Sequence, residues 1–409
     1  MGRFRLIALL LLIAAPIYPA GAAIVWGPVV TGTTEDTAVI TWKAGNATSG
    51  WVEYAPDDAP GEWIRRDAEA EGDGLFRLFL DDLAPATAYR YRIGGIDPPE
   101  GVFRFRTFGE QEYTFIVYGD TRAQEPFFTQ EERHRLVAER IAAEPDPLFV
   151  IHTGDFMTAG ESESDGWDQF FAAASPFLGT TTLVPVIGNH DGPPEAFSTI
   201  FGVAAWYAFE AGGVRVVVLD SNDWAWPQME EQTAWLELEL QKPAAWTFAA
   251  FHHPPYTAHA KQPGGNVAIR NAWSSLFEGR GVSAVFNAHV HVYERYLVNG
   301  TQYMVVGCGG APLYSLAPKK GDHYQSSLEY TLGYVRVHVS PEGVTAEMVP
   351  VAQISEDNRE IVEIYPEGAV FETVRIAGHA SKAQAGMQGW IPAAALGAAA
   401  CLLLYKKRR

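Results

Sequence analysis

Five short apolar segments of this chain each lead directly into residues of the kinds that bind metal ions. The segments are about five residues long and rich in Val, Ile and Phe, a pattern typical of strands buried on both faces of a parallel sheet. They span 113–118 before Asp120, 148–151 before Asp155, 183–187 before Asn189 and His190, 247–251 before His252, and 282–286 before His289 and His291. Loops that follow parallel strands gather at one edge of the sheet. The sequence therefore predicts that these side chains meet at one site, although they are far apart along the chain.

The region from 109 to 350 alternates strands with helices, which predicts an α/β domain. Thr129 and Glu132 have the spacing of a capping box at the start of one helix, and 230–240 has the pattern of another. Three further strands are predicted at 303–306, 334–339 and 344–350. We expect a layered β-sandwich flanked by helices in this domain.

Residues 23–108 have a different pattern, that of an all-β unit. Alternating segments are separated by clusters of turn-forming residues, as a β-sandwich of about 100 residues requires. The predicted strands lie at 37–42, 49–54, 76–80, 89–93 and 103–107. The stretch 80–91 resembles the loop and strand that mark fibronectin type III-like modules, in which a tyrosine packs over the corner. An all-β N-terminal sandwich is thus expected to precede the α/β domain.

The two ends of the chain have the composition of targeting segments. Residues 1–22 combine two arginines, an apolar stretch and a small-residue end, the pattern of a secretory signal peptide. A last hairpin and a polar spacer are predicted at 351–386. Residues 387–409 combine an apolar run with a basic end, which predicts a C-terminal transmembrane anchor or a sorting tail that is removed after export. Either alternative places the body of the protein outside the cytoplasm, attached to the outer face of the cell membrane or released from it.

The charge of the chain restricts its partners. A net charge of −19 argues against a nucleic-acid polymer, because binding a phosphate backbone requires clustered lysines and arginines. Bound metal ions would reverse the sign locally, so a small phosphorylated substrate is still compatible with the composition. No coiled-coil pattern indicates an oligomer.

The residue types after the five strands indicate a particular chemistry. Carboxylates bridge hard cations, imidazoles suit transition metals, and a side-chain amide adds a neutral oxygen donor. Two cations about 3.5 to 4 Å apart can activate water and hold both the attacking and the leaving oxygen of a phosphoryl group. Each motif alone is weak, because Gly and Asp favour turns and paired histidines occur in cores and on surfaces. Five such motifs in order, each after a strand, favour a dimetal site.

The same segments resemble the motifs of the metallophosphoesterase, or calcineurin-like phosphoesterase, superfamily. The motifs are Gly119-Asp120, Gly154-Asp155, Gly188-Asn189-His190-Asp191, His252-His253-Pro254 and the stretch 289–295. Within the superfamily, the sandwich ahead of the domain, Tyr293-Glu294-Arg295 and the stretch 303–310 are most similar to purple acid phosphatases. The resemblance covers residues 24–350. It implies two metal ions, of Fe, Mn or Zn, and hydrolysis of organic phosphate monoesters by direct attack of a metal-bound hydroxide.

The resemblance also implies a role for each residue. It places Asp155 between the two metals, Asp120 and His291 on one of them, and Asn189, His252 and His289 on the other. His190 would protonate or stabilise the leaving oxygen, which requires a proton donor beside the leaving group but off the metals. Asp191 would either orient His190 or cap a turn. His259 would either face the substrate or lie in a surface loop.

Two positions depart from the family pattern. Purple acid phosphatases have a tyrosine three residues after the second aspartate, where this chain has Thr158, so the phenolate ligand is missing. Other members have a histidine two residues after the first aspartate, where this chain has Arg122. Water or His134 could complete the first metal site; the other interpretation of His134 is a position on the helix surface. Arg122 could contact a substrate phosphate, because its planar guanidinium fits that group.

Three hypotheses for the function follow from these residues. The leading one is an exported, surface-anchored, acid phosphatase-like enzyme that removes phosphate from soluble organic phosphates. The second keeps the fold but changes the substrate to a phosphodiester or a nucleotide, since loops such as 158–166 and 191–205 select the substrate. The third is a non-catalytic surface-binding protein whose sandwich carries the function. The intact ligand set argues against the third, because unused buried polar residues are costly.

Overall fold

The computed structural model describes residues 23–378, except 60, 62, 96–100, 159–162 and 262. The predicted signal peptide at 1–22 and the predicted tail at 387–409 lie outside these residues, so export and anchoring stay predictions. Among the helices of the described part, none has both the length and the apolar character needed to cross a membrane.

The first unit is a β-sandwich, as the sequence predicts. Its strands are β1 (Ile24–Thr31), β2 (Ala38–Ala44), β3 (Ser49–Pro56), β4 (Ile64–Glu69), β5 (Leu75–Leu80), β6 (Ala88–Gly94) and β7 (Phe103–Arg106). One sheet has the order β1-β2-β5 and the other β4-β3-β6-β7. The Tyr89 hydroxyl accepts a hydrogen bond from the Ala84 N–H at 2.8 Å, which fixes the predicted tyrosine corner. The sequence missed β1, which Gly27 and Pro28 interrupt, and β4, which is almost entirely exposed.

The second unit combines two mixed sheets with helices. Its strands are β8 (Tyr113–Tyr118), β9 (Phe149–His152), β10 (Thr182–Pro185), β11 (Tyr207–Ala211), β12 (Val214–Val218), β13 (Trp246–Ala250), β14 (Ala284–Asn287), β15 (Tyr293–Val298), β16 (Thr301–Val306), β17 (Tyr324–Leu328), β18 (Thr331–Ser340), β19 (Gly343–Ile354), β20 (Ile361–Ile364) and β21 (Glu372–Ile376). Its helices are α1 (Gln130–Ala142), α2 (Glu163–Leu178), α3 (Pro194–Phe201), α4 (Met229–Glu239), α5 (Val267–Ile269) and α6 (Ser275–Arg280), with a 3₁₀ helix at Asp223–Gln228 and a π-helical turn at Arg270–Ser274.

In each sheet, the strands that lead into the ligand motifs run parallel to one another. The first has the order β10-β9-β8-β18-β19-β20, with β21 beside β19, and β8, β9 and β10 run parallel. The second has the order β11-β12-β13-β14-β16-β15-β17, in which β12, β13, β14 and β16 run parallel. The first three motifs thus follow strands of one sheet, and the last two follow strands of the other. The layered α/β architecture predicted from the sequence is confirmed.

Aromatic side chains fill the space between the two sheets. The Phe115 ring on β8 stacks on Phe149 of β9 with 4.7 Å between the centroids. On the opposite side it contacts Phe248 of β13 at 5.7 Å and Phe286 of β14 at 6.1 Å. All four side chains are fully buried, and each such burial contributes about 1.5 to 3 kcal/mol. This core fixes the position of the first sheet relative to the second, and so of the motifs that follow their strands.

Helix α1 begins at the predicted capping box. The Glu132 N–H donates to the Thr129 hydroxyl at 3.2 Å, and the Thr129 N–H donates to the Glu132 carboxylate at 2.7 Å. The helix buries Val137, Ala138 and Ile141 on the face that packs toward the sheet. The loop between β8 and α1, which carries the first motif, is therefore anchored at both ends.

The first sheet continues past residue 350, the boundary that the sequence suggested. Strand β19 runs on to Ile354, and both β20 and β21 pair with it. The Glu372 carboxylate on β21 accepts hydrogen bonds from the Arg295 guanidinium at 2.9 and 3.1 Å and from the Tyr293 hydroxyl at 2.6 Å. Part of the segment predicted as an extension and spacer is thus integral to the α/β unit. Its two strands are short and largely exposed.

Candidate metal centre

Two turns with left-handed backbone place the first two aspartates. Asp120 follows β8 with a φ of 55°, and Asp155 follows β9 with a φ of 58°. The Asp120 N–H donates to the Gly154 carbonyl at 2.9 Å, and the Thr121 N–H donates to the Asp155 carbonyl at 3.1 Å. Non-glycine residues adopt this backbone conformation rarely, and it concentrates at functional sites. The hydrogen bonds between the turns hold the two carboxylates close together.

The structure brings together all the side chains that the sequence singles out as metal ligands. Two clusters form, and within each the donor atoms lie within 4.8 Å of one another. The clusters are Asp120, Asp155 and His291, and Asp155, His252 and His289. The Asn189 Oδ1 atom joins the second cluster, at 3.1 Å from His252 Nε2 and 2.9 Å from His289 Nδ1. Asp155 is common to both clusters, which is the position that a bridging ligand would occupy.

Backbone carbonyls fix the orientation of two imidazoles. The Nδ1–H of His252 donates to the Thr153 carbonyl at 2.9 Å, and the Nδ1–H of His291 donates to the Pro312 carbonyl at 2.6 Å. A carbonyl can only accept, so the proton lies on Nδ1 in both rings. The Nε2 atoms then face the carboxylates, with His252 Nε2 at 3.2 Å from Asp155 and His291 Nε2 at 3.6 Å from Asp120. Metal-binding histidines are commonly held in this way.

The surroundings of Asp120 fit a cation. Its side chain is fully buried, and neither carboxylate oxygen has a hydrogen-bond partner among the described residues. Burial raises the pKa of this carboxyl well above its ordinary value. A Cβ atom at Gly307 would lie only 2.3 Å from Asp120 Oδ2, so the glycine is needed to make room for the carboxylate. A buried carboxylate without a partner is costly, and a bound cation would supply the missing partner.

The charges of Asp155 and His252 are coupled. Burial opposes ionisation of Asp155, but His252 and His190 outweigh it and hold the carboxyl pKa well below its ordinary value. Burial likewise opposes protonation of His252, but Asp155 raises the imidazole pKa to about 9. Without a metal, the two side chains therefore form an ion pair. A cation would have to displace the His252 proton, so its affinity should fall as the pH falls.

His190 lies at the edge of the two clusters. Its backbone N–H donates to Asp155 Oδ1 at 3.0 Å, and its Nε2 lies 3.7 Å from Asp155 Oδ2. The side chain keeps 22% of its surface exposed, whereas that of Asp155 keeps 2%. Burial lowers the His190 pKa, and Asp155 acts in the opposite direction. The ring is thus beside the proposed ligands and accessible from solvent.

Asp191 caps the loops rather than orienting the ring of His190. Its fully buried carboxylate accepts from the backbone N–H groups of Asp155, Phe156 and Gly188, each at 2.8 Å. These bonds tie the second motif to the third. Of the two interpretations that the sequence left open, the turn-capping carboxylate is the one that agrees with the hydrogen bonds.

Tyr314 links the two predicted substrate contacts, and sequence reasoning missed it. Its ring stacks on His291 with 4.2 Å between centroids and on His259 with 4.9 Å. Its hydroxyl lies beside the half-buried side chain of Arg122. Burial lowers the pKa of both His190 and His291, and the positive charge of Arg122 acts in the same direction. Arg122 and His259 therefore both lie at the site. The signal for Tyr314 was the glycine-rich loop after β16, another strand that ends in glycine and a conformationally demanding turn.

His134 is neither a metal ligand nor a surface residue. The ring is fully buried, with Nε2 at 3.1 Å from the Tyr118 hydroxyl and Nδ1 at 3.2 Å from Gln130 Oε1. Both interpretations from the sequence were wrong, because His134 shares the buried face of α1. Thr158, in place of the family's tyrosine, donates to the Ala123 carbonyl at 3.2 Å.

Comparisons with known proteins agree with this geometry. Residues 113–293 match the family model of calcineurin-like phosphoesterases. An uncharacterized protein of Mycobacterium tuberculosis is 26% identical over 265 residues, 53% of this chain and 49% of that protein. Purple acid phosphatase 22 of Arabidopsis thaliana is 26% identical over 248 residues, 54% of each protein. This chain spans about half the length of these curated relatives.

A solved structure extends the likeness to the whole fold. The purple acid phosphatase from yellow lupin (Lupinus luteus) seeds superposes with a TM-score of 0.69 at 19% identity, over 87% of this chain and 74% of that one. At this identity the superposition bears on the fold alone. The family model, in contrast, covers the range that holds all the ligand-type residues from Asp120 to His291. Residues 113–293 therefore carry a calcineurin-like phosphoesterase domain, and the chain is similar to purple acid phosphatases.

Proposed function

We propose that this protein is a dimetal phosphoesterase that hydrolyses monoesters of small organic phosphates. The observation that carries the proposal is the pair of donor clusters that share Asp155. Carboxylate, amide and imidazole donors in such numbers suit Fe, Mn or Zn. The buried, unpartnered Asp120 carboxylate supports a cation in the same place.

The residues divide between two cation positions. Asp120 and His291 would hold one cation, with Asp155 between the two positions. The second position would take Asn189, His252 and His289. When bound, two cations activate water and neutralise charge on a phosphoryl group. The protein contributes a fixed cage, because the backbone carbonyls of Thr153 and Pro312 prevent His252 and His291 from turning away.

The remaining polar side chains would act on the substrate itself. His190 lies beside Asp155 but outside both donor clusters, so its ring would hold a proton for the leaving oxygen. The Arg122 guanidinium, beside the Tyr314 hydroxyl, would bind phosphoryl oxygens through its planar fork. Hydrolysis would then proceed by in-line displacement, with the ester oxygen leaving on the side of His190.

An activity assay tests the proposal. The purified full-length chain is given an aryl phosphate with added Mn, Zn or Fe, beside the variants Asp155→Asn and His289→Ala. We expect kcat/KM to fall by about 10²- to 10³-fold in each variant, because a dominant electrostatic contribution is removed. His338→Ala is the matched control, because this half-exposed histidine on β18 pairs with Thr114, at the end of β8 away from Asp120. Equal activity in the wild type and the two site variants would reject the proposal.

Two further measurements separate the other hypotheses. A bis-aryl phosphate assayed beside the mono-aryl phosphate gives the ratio of diester to monoester hydrolysis, and a strong diester preference would replace the monoester proposal with a phosphodiesterase. Metal analysis of the purified protein addresses a non-catalytic role. The present proposal expects two ions per chain, whereas a pure binding protein would contain none in stoichiometric amounts.

A further inference from the structure

A short segment after β12 places two partly exposed indoles at the edge of the second sheet. This is the edge at which the candidate metal centre lies. The 3₁₀ helix Asp223–Gln228 contains Trp224 and Trp226, which are 36% and 38% exposed. Two such indoles within three residues leave unusually large apolar surfaces in contact with water. Because the strand before them runs parallel to β13, this segment begins on the same edge as the loop of His252.

A buried hydrogen-bond network fixes the first of these indoles. The Trp224 Nε1–H donates to Asp220 Oδ2 at 2.9 Å. Asp220 Oδ1 also accepts from the backbone N–H and the side-chain amide of Asn222, at 2.9 and 2.7 Å. The Asn222 amide donates in turn to the Ile187 carbonyl at 3.1 Å, two residues before Asn189. Trp224 is thus held rigidly against the strand that leads into the third motif.

Contacts on both sides place the segment beside the metal centre. A Cβ atom at Gly192 would lie 2.7 Å from the edge of the Trp224 ring, so the indole rests on the backbone two residues after His190. At the other end, Ser221 Oγ lies 3.0 Å from His253 Nδ1, and the His253 ring is 4.4 Å from that of His289. The indole therefore packs against the loop that carries the proposed proton donor, with its polar edge already hydrogen bonded and its apolar surface partly open.

We propose that Trp224 forms the wall of a subsite for the leaving group, and that the subsite favours planar aromatic leaving groups over small aliphatic ones. This inference rests on the proposed phosphoesterase function, because His190 defines where the leaving group departs. A ring stacked or placed edge-on against an indole gains more than its buried area alone provides. A rigid, pre-oriented wall loses little entropy on binding, so most of that gain is retained.

Ligand binding tests the inference independently of turnover. Dissociation constants for phenylphosphonate and methylphosphonate are measured by calorimetry on metal-loaded wild type, Trp224→Ala, Trp224→Phe and Trp226→Ala. We expect the phenyl-over-methyl preference to fall by about 3- to 10-fold in Trp224→Ala and to be partly restored in Trp224→Phe. Trp226→Ala is the matched control, because it removes an indole of equal exposure from the same 3₁₀ helix, and its preference should equal that of wild type.

The outcomes separate this inference from the proposed function. If Trp224→Ala weakens both phosphonates by the same factor, the indole has a structural role and the inference is wrong. An unchanged preference would also overturn it. If wild type binds both phosphonates with the expected preference but hydrolyses no ester, the subsite stands and the proposed reaction falls. The same variants can also be assayed on an aryl phosphate and on glycerol phosphate. For each substrate, kcat/KM of the variant is divided by that of wild type, which cancels the intrinsic difference between the leaving groups.

Discussion

The ring of Tyr314 lies nearly parallel to that of His291, with 4.2 Å between centroids and 18° between planes. The Tyr314 N–H also donates to the His291 carbonyl at 3.0 Å, so backbone and side chain are both attached to the same residue. The phenol hydroxyl is thereby placed at Arg122 rather than in solvent. Tyr314 thus connects a residue of the candidate metal centre to the guanidinium that we expect to bind phosphate.

Removing only the Tyr314 hydroxyl should weaken substrate binding. Tyr314→Phe keeps the ring stack but removes the polar group beside Arg122, so we expect KM for an aryl phosphate to rise roughly fivefold, equivalent to about 1 kcal/mol, with little change in kcat. Steady-state kinetics gives both constants. A fall in kcat at constant KM would contradict this role. Tyr314→Leu, which also removes the stack, should lower metal content as well, because His291 loses a ring that holds it in place.

Asp120→Asn should have opposite effects on the metal-free and the metal-loaded protein. Without a cation the buried carboxylate has no partner, and the carboxamide removes the cost of either burying the charge or protonating it. We expect the metal-free variant to be more stable than metal-free wild type by about 1 to 2 kcal/mol at pH 7. With metal present the order should reverse, because cation binding stabilises the folded state of the wild type more.

Chemical denaturation with and without a chelator measures both differences in Asp120→Asn. Asp36→Asn is a suitable control, since this aspartate lies in an exposed turn of the sandwich where it accepts a hydrogen bond from Thr34. Its effect on stability should be the same in both conditions. A metal-free Asp120→Asn protein that is less stable than wild type would show that the carboxylate is stabilised by something other than a cation.

The predictions from the sequence succeeded where a local pattern determines the structure. A run of apolar residues that ends in glycine or a polar side chain gives a buried strand and a turn, and Asp120, Asp155 and His289 all lie in such turns. The capping box of Thr129 and Glu132 is equally local. Convergence of the five motifs followed from the parallel order of the strands within each sheet of the predicted layered sandwich.

The predictions failed where a side chain's role depends on what packs against it. His134 is one helical turn from Val137 and Ala138 on the buried face, but which face is buried depends on the sheet beneath it. Tyr314 becomes part of the site only because the loop after β16 folds back over His291. The strands β20 and β21 are short and largely exposed, and their place is set by pairing with β19.

Replacing His190 should affect substrates according to their leaving group. His190→Ala removes the group that we expect to donate a proton, so kcat for a glycerol phosphate should fall by about 10²- to 10⁴-fold. The fall should be much smaller for nitrophenyl phosphate, because a nitrophenolate leaves without protonation. A series of aryl phosphates with graded leaving-group pKa would show a steeper dependence in the variant. His259→Ala is the comparison, since it also removes a histidine at the site; parallel slopes for His190→Ala and wild type would contradict the role.

The buried His134 should make the folded protein sensitive to acid. Burial lowers the pKa of His134 to about 3, below its ordinary value of 6.5. As the pH falls below 6.5, the unfolded chain takes up a proton at this residue while the folded chain does not, so stability is lost progressively until the pH reaches about 3. Between pH 7 and pH 5, this residue alone should lower the free energy of unfolding by about 2 kcal/mol.

His134→Gln isolates this contribution, because glutamine does not titrate and can still hydrogen bond to Tyr118. The variant should lose about 2 kcal/mol less than wild type between pH 7 and pH 5, whatever its stability at pH 7. Urea denaturation in the presence of a chelator, at both pH values, removes the separate effect of metal release. If His134→Gln and wild type lose the same free energy of unfolding between pH 7 and pH 5, then His134 takes up its proton in the folded protein as readily as in the unfolded chain. The predicted effect of its burial would then be wrong.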